Sequence, residues 1–268
     1  MKILLVLSFL LINYCCKAQQ YSLTDFSLTK DLKYNSVLWK KLNASNNSFR
    51  VSIANGLLKV YVNKPTTVKM LQIPNGHFVA LNSGEWIGSL FFKPTDTTKK
   101  VIFVNGSLAF LKHKAETFNL IISKNSLDAD ILSYKQAVIS LGNTPDICPY
   151  NNNWLFVQHF SSSQQYGSLN QIYATQDTFL VTRNFIFKTL PYVVYVFNNK
   201  IFVATDSELY CLNTCFEEEY TLRNLFWKGL YPNSIAVIDL KHIYVGIRGG
   251  YAEVNVLENS IRFYAYKE

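Results

Sequence analysis

Short apolar runs alternate with polar turn residues along most of the chain. Runs rich in Val, Ile, Phe, Tyr, Leu and Thr are separated by Asn, Gly, Asp, Ser and Pro, which is typical of strands joined by tight turns. Segments with helical periodicity are scarce: residues 125–141 could form a turn or two of helix, and residues 215–227 are ambiguous. The pattern therefore predicts an all-β protein.

One strand-like segment, a turn followed by an apolar run, recurs along the chain. The copies are residues 58–63, 77–82, 105–113, 151–159, 198–206 and 243–248. The last four recur about every 42–47 residues, close to the one-blade period of β-propellers. The first two lie at shorter and uneven intervals, so the C-terminal half is the more regular.

A second alternating strand follows two of the copies after a turn that contains glycine, at residues 82–92 and 248–256. Glycine suits tight hairpin turns because they require positive φ. A period of about 45 residues corresponds to four strands, and such sheets bury their faces only against one another. We therefore expect a β-propeller of about five or six four-stranded blades, with terminal strands closing one of them. A β-sandwich is the alternative.

Two segments carry a resemblance to known proteins. Residues 234–266 look like one complete blade and are similar to the closing segments of uncharacterised secreted bacterial β-propeller-like proteins, and residues 73–92 are similar in the same way. The resemblance contains no catalytic motif. It implies the fold and says almost nothing about the chemistry.

The first 18 residues have the pattern of a removable signal peptide. A basic start and an apolar run at residues 3–12 precede small residues at the −3 and −1 positions, Cys16 and Ala18. The run is shorter than the about 20 residues that span a bilayer. We expect residues 19–268 to form a single domain that is secreted or periplasmic, in a Gram-negative bacterium. Acylation of Cys15 or Cys16, as in a lipoprotein, is the alternative.

The composition excludes disorder and gives no indication of a nucleic-acid partner. Hydrophobic residues make up 49% of the chain and charged residues only 16%, which is ample material for a core. The net charge is +8, and its cations are scattered in short pairs, whereas nucleic-acid-binding proteins concentrate them on one face. No further segment is long and apolar enough to predict a membrane span.

Three cysteines follow the signal: Cys148, Cys211 and Cys215. An odd number leaves at least one thiol unpaired or bonded to another molecule. Cys211 and Cys215 are candidates for a disulfide across a turn, which export would permit; two unpaired, partly buried thiols are the alternative. None of the four histidines has zinc-ligand spacing to this pair. We predict no metal and no cofactor.

Polar residues end the equivalent strands of the repeat. They are Asn82, His113, His159, Asp206 and Arg248. Corresponding strand ends gather on one face of a propeller, so we expect a polar arc around the mouth of the channel that could bind an anionic or sugar-like ligand or move a proton. The alternative is that strands end in polar residues because turns face water. Tyr166, in the loop at residues 161–167, is expected on the same face.

The sequence lacks a nucleophile elbow, a zinc-protease helix motif and a glycine-rich phosphate loop. We therefore predict a monomeric, non-enzymatic binding module that recognises a glycan, peptide or protein partner through one propeller face. The alternative is a propeller hydrolase or lyase that acts on an extracellular polymer, with the two histidines, Asp206 and Arg248 as its site.

Overall fold

The computed structural model describes residues 19–29, 32–63, 68–82, 88–96, 102–103, 120–123, 146–161, 165–174, 178–224 and 226–267. Within these ranges the strands in chain order are β1 (Gln20–Tyr21), β2 (Phe26–Thr29), β3 (Phe49–Ala54), β4 (Leu57–Val62), β5 (Val68–Ile73), β6 (Gly76–Asn82), β7 (Gly88–Pro94), β8 (Ile102–Phe103), β9 (Leu120–Ser123), β10 (Ile147–Tyr150), β11 (Asn153–Ser161), β12 (Gln165–Ala174), β13 (Thr178–Phe187), β14 (Pro191–Phe197), β15 (Lys200–Thr205), β16 (Glu208–Leu212), β17 (Glu218–Arg223), β18 (Ser234–Asp239), β19 (His242–Ile247), β20 (Gly250–Asn255) and β21 (Ser260–Tyr266). The same ranges contain one α-helix, α1 (Val37–Ala44), and one 3-10 turn, Leu23–Asp25.

These strands form five antiparallel sheets arranged in a ring, a five-bladed β-propeller. The strand orders are β1-β4-β3 in blade 1, β5-β6-β7-β8 in blade 2, β10-β11-β12-β13-β9 in blade 3, β14-β15-β16-β17 in blade 4 and β18-β19-β20-β21-β2 in blade 5. Neighbouring blades meet through their first strands, since β10 contacts β14, β14 contacts β18 and β18 contacts β3. Strands β3, β10, β14 and β18 therefore lie nearest the axis. We number the strands of each blade outward from this innermost position, so β3 is the first strand of blade 1 and β5 is the equivalent strand of blade 2. The predicted propeller is confirmed.

The N-terminal segment closes the ring. Strand β2 pairs with β21 at the outer edge of blade 5, in a register that places Phe26 opposite Tyr266. The Phe26 ring is buried and packs edge-on against Phe49 of blade 1 and Tyr251 of blade 5, with ring centroids 5.0 and 5.2 Å apart. The pairing makes β2 the outer edge strand of blade 5, and Phe26 links this edge to blade 1. The expectation that terminal strands complete one blade is confirmed.

The hairpin between the first and second strand of a blade turns through residues with left-handed backbone. In blades 1, 3 and 4 these are the pairs Asn55-Gly56, Asn151-Asn152 and Asn198-Asn199, all with positive φ. Two-residue hairpin turns with positive φ at both positions match the twist of the strands, and Asn and Gly reach that region at the lowest cost. This turn chemistry explains why the repeated segment begins with asparagine.

The core lies between blades, and the central strands of blade 4 are buried on both sides. Along β15, Ile201 and Val203 enter the cluster shared with blade 3, whereas Phe202 and Ala204 enter the cluster shared with blade 5. Successive side chains of a strand point to opposite faces, so an unbroken apolar run indicates a sheet that is buried on both faces. Each such large side chain contributes about 1.5–3 kcal/mol when it is fully buried.

Helix α1 packs at one end of blade 5. Ser36 caps it by accepting a hydrogen bond from the backbone N–H of Trp39 at 3.2 Å. Leu42 lies against Gly249, where an added Cβ would come within 2.6 Å of the leucine side chain. Of the segments whose helicity was uncertain, residues 215–227 contain β17, and residues 125–141 lie outside the described ranges. In the described part of the chain, no helix has the length and apolarity needed to cross a bilayer.

Candidate functional site

The predicted site residues occupy one equivalent position in their blades. The first paired residues of the second strands are Leu57, Gly76, Asn153, Lys200 and His242. The sixth residue after each of these is Asn63, Asn82, His159, Asp206 and Arg248, respectively. Four of the five predicted positions therefore align as the repeat indicated. The fifth, His113, lies outside the described residues.

A backbone hydrogen bond defines this position in three blades. The N–H groups of Asn63, Asp206 and Arg248 donate at 2.7, 2.9 and 2.7 Å to the carbonyl oxygens of Ser48, Leu190 and Leu230, respectively. Each acceptor precedes the first strand of the same blade. We call the end of the ring where first strands begin and second strands end the upper face, and the opposite end the lower face.

Asp206 and Arg248 belong to one group of side chains at the upper face of blades 4 and 5. This upper-face cluster consists of Tyr192, Asp206, Lys228, Tyr231 and Arg248. The Arg248 guanidinium carbon lies 4.6 Å from the centre of the Tyr231 ring, and Tyr231 meets the Tyr192 ring edge-on with centroids 6.0 Å apart. Burial raises the pKa of Tyr192, and the negative charge of Asp206 raises it further. The two predicted residues are therefore connected through two tyrosines.

Asp206 is an almost buried carboxyl group. Only 7% of the residue is exposed, and its Oδ1 accepts a hydrogen bond from the Ser207 hydroxyl at 3.0 Å. Burial raises its pKa; the Ser207 hydrogen bond and the positive charge of Lys228 act in the opposite direction and offset only part of the effect. The cluster thus holds a carboxyl acceptor in a partly dry environment beside an exposed ammonium group.

The Arg248 side chain joins blade 5 to helix α1. Its Nη1 donates to the carbonyl oxygen of Asn43 at 2.6 Å and lies 3.4 Å from the Asn43 side-chain oxygen. One end of the guanidinium is therefore occupied by the protein, and its face covers Tyr231. That Arg248 also contacts a ligand stays a prediction.

Tyr231 combines an exposed ring with an uncommon backbone conformation. The residue is 45% exposed and has φ +52° immediately before Pro232. Positive φ is rare for a bulky residue, and such conformations cluster at functional sites. Sequence reasoning missed Tyr192 and Tyr231. The signal that could have revealed them is a tyrosine adjacent to a proline, at the start of β14 and just ahead of β18.

The remaining predicted residues lie outside the upper-face cluster, although Tyr166 is at the upper end of blade 3, the face predicted for it. Tyr166 belongs to β12, opposite Phe160 of β11, so much of the predicted loop at residues 161–167 is a continuation of two paired strands. Its side chain lies close enough to Arg183 of β13, within blade 3, for an electrostatic interaction. Cys211 and Cys215 are free thiols: Cys211 is buried on β16 and Cys215 is exposed on the turn that follows. Both thiols are therefore unpaired in the structure, which is the alternative to the predicted disulfide.

Among the residues that the structure describes, no group of three or more His, Cys, Asp or Glu side chains could hold a metal ion. Comparison of the chain with protein-family models and with curated proteins finds no match.

Proposed function

We propose that this protein is a non-enzymatic binding module that recognises a glycan, peptide or protein partner through the upper-face cluster. The observation that carries the proposal is the exposed Tyr231 ring, held between the Arg248 guanidinium and the Tyr192 edge. Tyrosine and arginine are the residue types that most often dominate binding energy, because they combine large rigid contact area with a polar end.

The chemistry of the cluster suits a partner rich in hydroxyl or amide groups. Tyr231 offers an exposed ring for stacking and Lys228 offers an exposed ammonium group, while the almost buried Asp206 adds a carboxyl group to the cluster. Sugars and peptides both carry donors and acceptors that match such a set. The preformed contacts within the cluster reduce the entropy lost when a partner binds.

Export is part of the same proposal. The pattern of residues 1–18, with cleavage after Ala18, supports a secreted or periplasmic location. The mass of the N-terminal peptide of protein recovered from a Gram-negative host tests it. A peptide that begins at Gln19 is the expected result, and one that retains Met1 would contradict export.

Glycan and peptide arrays probed with the purified protein test the binding role. Tyr231→Asn removes the ring and keeps a residue that tolerates left-handed backbone. The control is Leu57→Asn, because Leu57 is 63% exposed at the hairpin of blade 1 on the lower face. We expect Tyr231→Asn to weaken the array signal at least about tenfold, the loss expected for a residue that anchors binding, while the control retains it. Equal signals from both variants would contradict the proposal, and release of cleaved products from the array would favour the enzyme alternative.

A further inference from the structure

A groove lies on the side of blade 5 near the lower face, well away from the upper-face cluster. Its volume is about 200 Å³, and its lining includes Lys241, Glu253, Asn255, Glu258, Ser260 and Arg262. Strands β20 and β21 supply the floor, while the hairpin turns β18–β19 and β20–β21 supply Lys241 and Glu258 at the rim.

The register of blade 5 explains why the groove is polar. Tyr244, Glu253 and Arg262 lie opposite one another on three adjacent strands, so their side chains share one face of the sheet. Tyr251 and Tyr264 lie on the same side of the sheet, two positions closer to the upper face. Their rings are stacked, with centroids 4.8 Å apart. Tyr251 belongs to the core shared with blade 1. The face is therefore aromatic and covered at one end, and polar and open at the other.

Glu253 is fixed in position at the floor of the groove. Its Oε2 accepts a hydrogen bond from the Tyr264 hydroxyl at 3.0 Å, and its Oε1 lies 3.4 Å from the Tyr244 hydroxyl. Arg262 Nη1 lies 3.9 Å from Oε2. The Glu253 side chain is 16% exposed, whereas that of Arg262 is 66% exposed. The carboxylate of Glu253 is therefore a preorganised acceptor, which lowers the entropic cost of binding, and Arg262 is an exposed donor beside it.

The charges of the groove balance. Among the residues that line it, the two cations Lys241 and Arg262 match the two carboxylates Glu253 and Glu258 in number. At the rim His242 Nδ1 lies 2.9 Å from Oδ1 of Asp239, which is not part of the lining. A site with matched charges favours neither an anion nor a cation over the other.

From this balance, and from the mixed donors and acceptors of Asn255 and Ser260, we infer that the groove binds a neutral sugar ring. Hydroxyl groups each donate and accept, so a ring of hydroxyls can satisfy ammonium, guanidinium, amide and carboxylate partners together. Sites that enclose drug-sized ligands measure about 300–1,000 Å³. The smaller groove fits one ring of a chain and leaves its neighbours in solvent. This inference does not depend on the proposed role of the upper face.

Titration with methyl glycosides of glucose, galactose, mannose and N-acetylglucosamine, followed by backbone amide chemical shifts, tests the inference. Acetate and methylammonium serve as ionic probes. The variant is Arg262→Ala, and the matched control is Arg223→Ala, because Arg223 is 74% exposed and is also paired with a glutamate, but belongs to blade 4. We expect at least one glycoside to shift the amides of Lys241, Asn255 and Ser260. Arg262→Ala should lower the affinity for that glycoside about tenfold, which is the scale of one hydrogen bond from a charged donor. Arg223→Ala should leave the affinity unchanged.

Three outcomes would overturn the inference: no glycoside shifts these amides, an ionic probe shifts them at lower concentration than every glycoside, or both arginine variants weaken binding equally. Tyr231→Asn separates this site from the upper face. It should leave the glycoside titration unchanged even if array binding is lost.

Discussion

Asp206 and Arg248 occupy the same position in neighbouring blades, each donating its backbone N–H to the carbonyl of a leucine that precedes the first strand. Their side chains nevertheless have different roles. Asp206 is buried beside Ser207, whereas Arg248 reaches Asn43 of helix α1. Repeat geometry therefore fixes where such residues lie, and the loops around each blade determine what they contact.

Burial of Asp206 predicts a measurable dependence of stability on pH. Because burial raises its pKa in the folded protein, the folded state favours the protonated form. This contribution to stability is fully present below the ordinary pKa of 3.8 and is lost as pH rises through the folded-state pKa. Asp206→Asn should therefore unfold at a higher temperature than the wild type at pH 7, and the difference should shrink as pH falls toward 3.8. Thermal denaturation across this range measures it; a gap that widens in acid would contradict the assignment.

The contact between Arg248 and Asn43 predicts that a charge alone cannot replace the guanidinium. Arg248→Lys keeps the cation and loses the planar group that bonds to Asn43 and covers Tyr231. We expect a loss of about 1–2 kcal/mol in unfolding free energy and faster hydrogen exchange in α1. Arg262→Lys is the control, since Arg262 is exposed on the same blade. Equal effects from both substitutions would show that Arg248 does not anchor the helix.

The packing of β2 against blades 1 and 5 predicts that two side chains of this strand contribute very differently to stability. Phe26 is 5% exposed and Leu28, two residues on, is 49% exposed. Phe26→Ala should lower the free energy of unfolding by about 3–5 kcal/mol through loss of packing against blades 1 and 5. Leu28→Ala should change it by no more than about 0.5 kcal/mol. Urea denaturation of both variants tests this, and similar midpoints would argue against closure by β2.

Much of the fold could be predicted because its signals are local. The hairpin asparagines and the apolar second strands recur along the chain, and they located the equivalent positions that contain Asp206 and Arg248. The uneven spacing of the first two copies also has a structural cause. In blade 1 the strand beyond β4 is β1, which precedes it in the chain, so β5 of blade 2 follows β4 directly.

The missed features depend on contacts between distant parts of the chain. Helix α1 has eight residues and is too short to be stable by itself; Trp39 and Leu42 hold it against blade 5. Likewise, nothing local indicates that Tyr231 meets Tyr192 from another blade. The groove on blade 5 arises from strand register, which brings together residues that are far apart in the sequence.

A buried hydrogen bond between blades 5 and 1 supports a further prediction. The Ser234 hydroxyl accepts from the backbone N–H of Val51 at 2.9 Å, and Ser234 is 6% exposed. Ser234→Ala leaves that N–H without a partner in a dry interface, which should cost about 1–3 kcal/mol. The control is Ser27→Ala, an exposed serine on β2. Equilibrium unfolding measures the difference, and equal stabilities would mean that water or another acceptor replaces the hydroxyl.

The thiols provide the last prediction. Burial raises the pKa of Cys211 to about 11, whereas Cys215 is exposed two residues beyond Asn213, whose side-chain oxygen accepts its backbone N–H. Because the thiolate is the reactive form, a maleimide near pH 7 should label Cys215 in the native protein and Cys211 only after unfolding. Peptide mass spectrometry distinguishes these two thiols from the half-buried Cys148, and Cys215→Ser should remove the fast label from its own peptide without exposing Cys211. If neither thiol reacted in denaturant until a reductant was added, the two would be joined by a disulfide, and the free-thiol arrangement would be wrong.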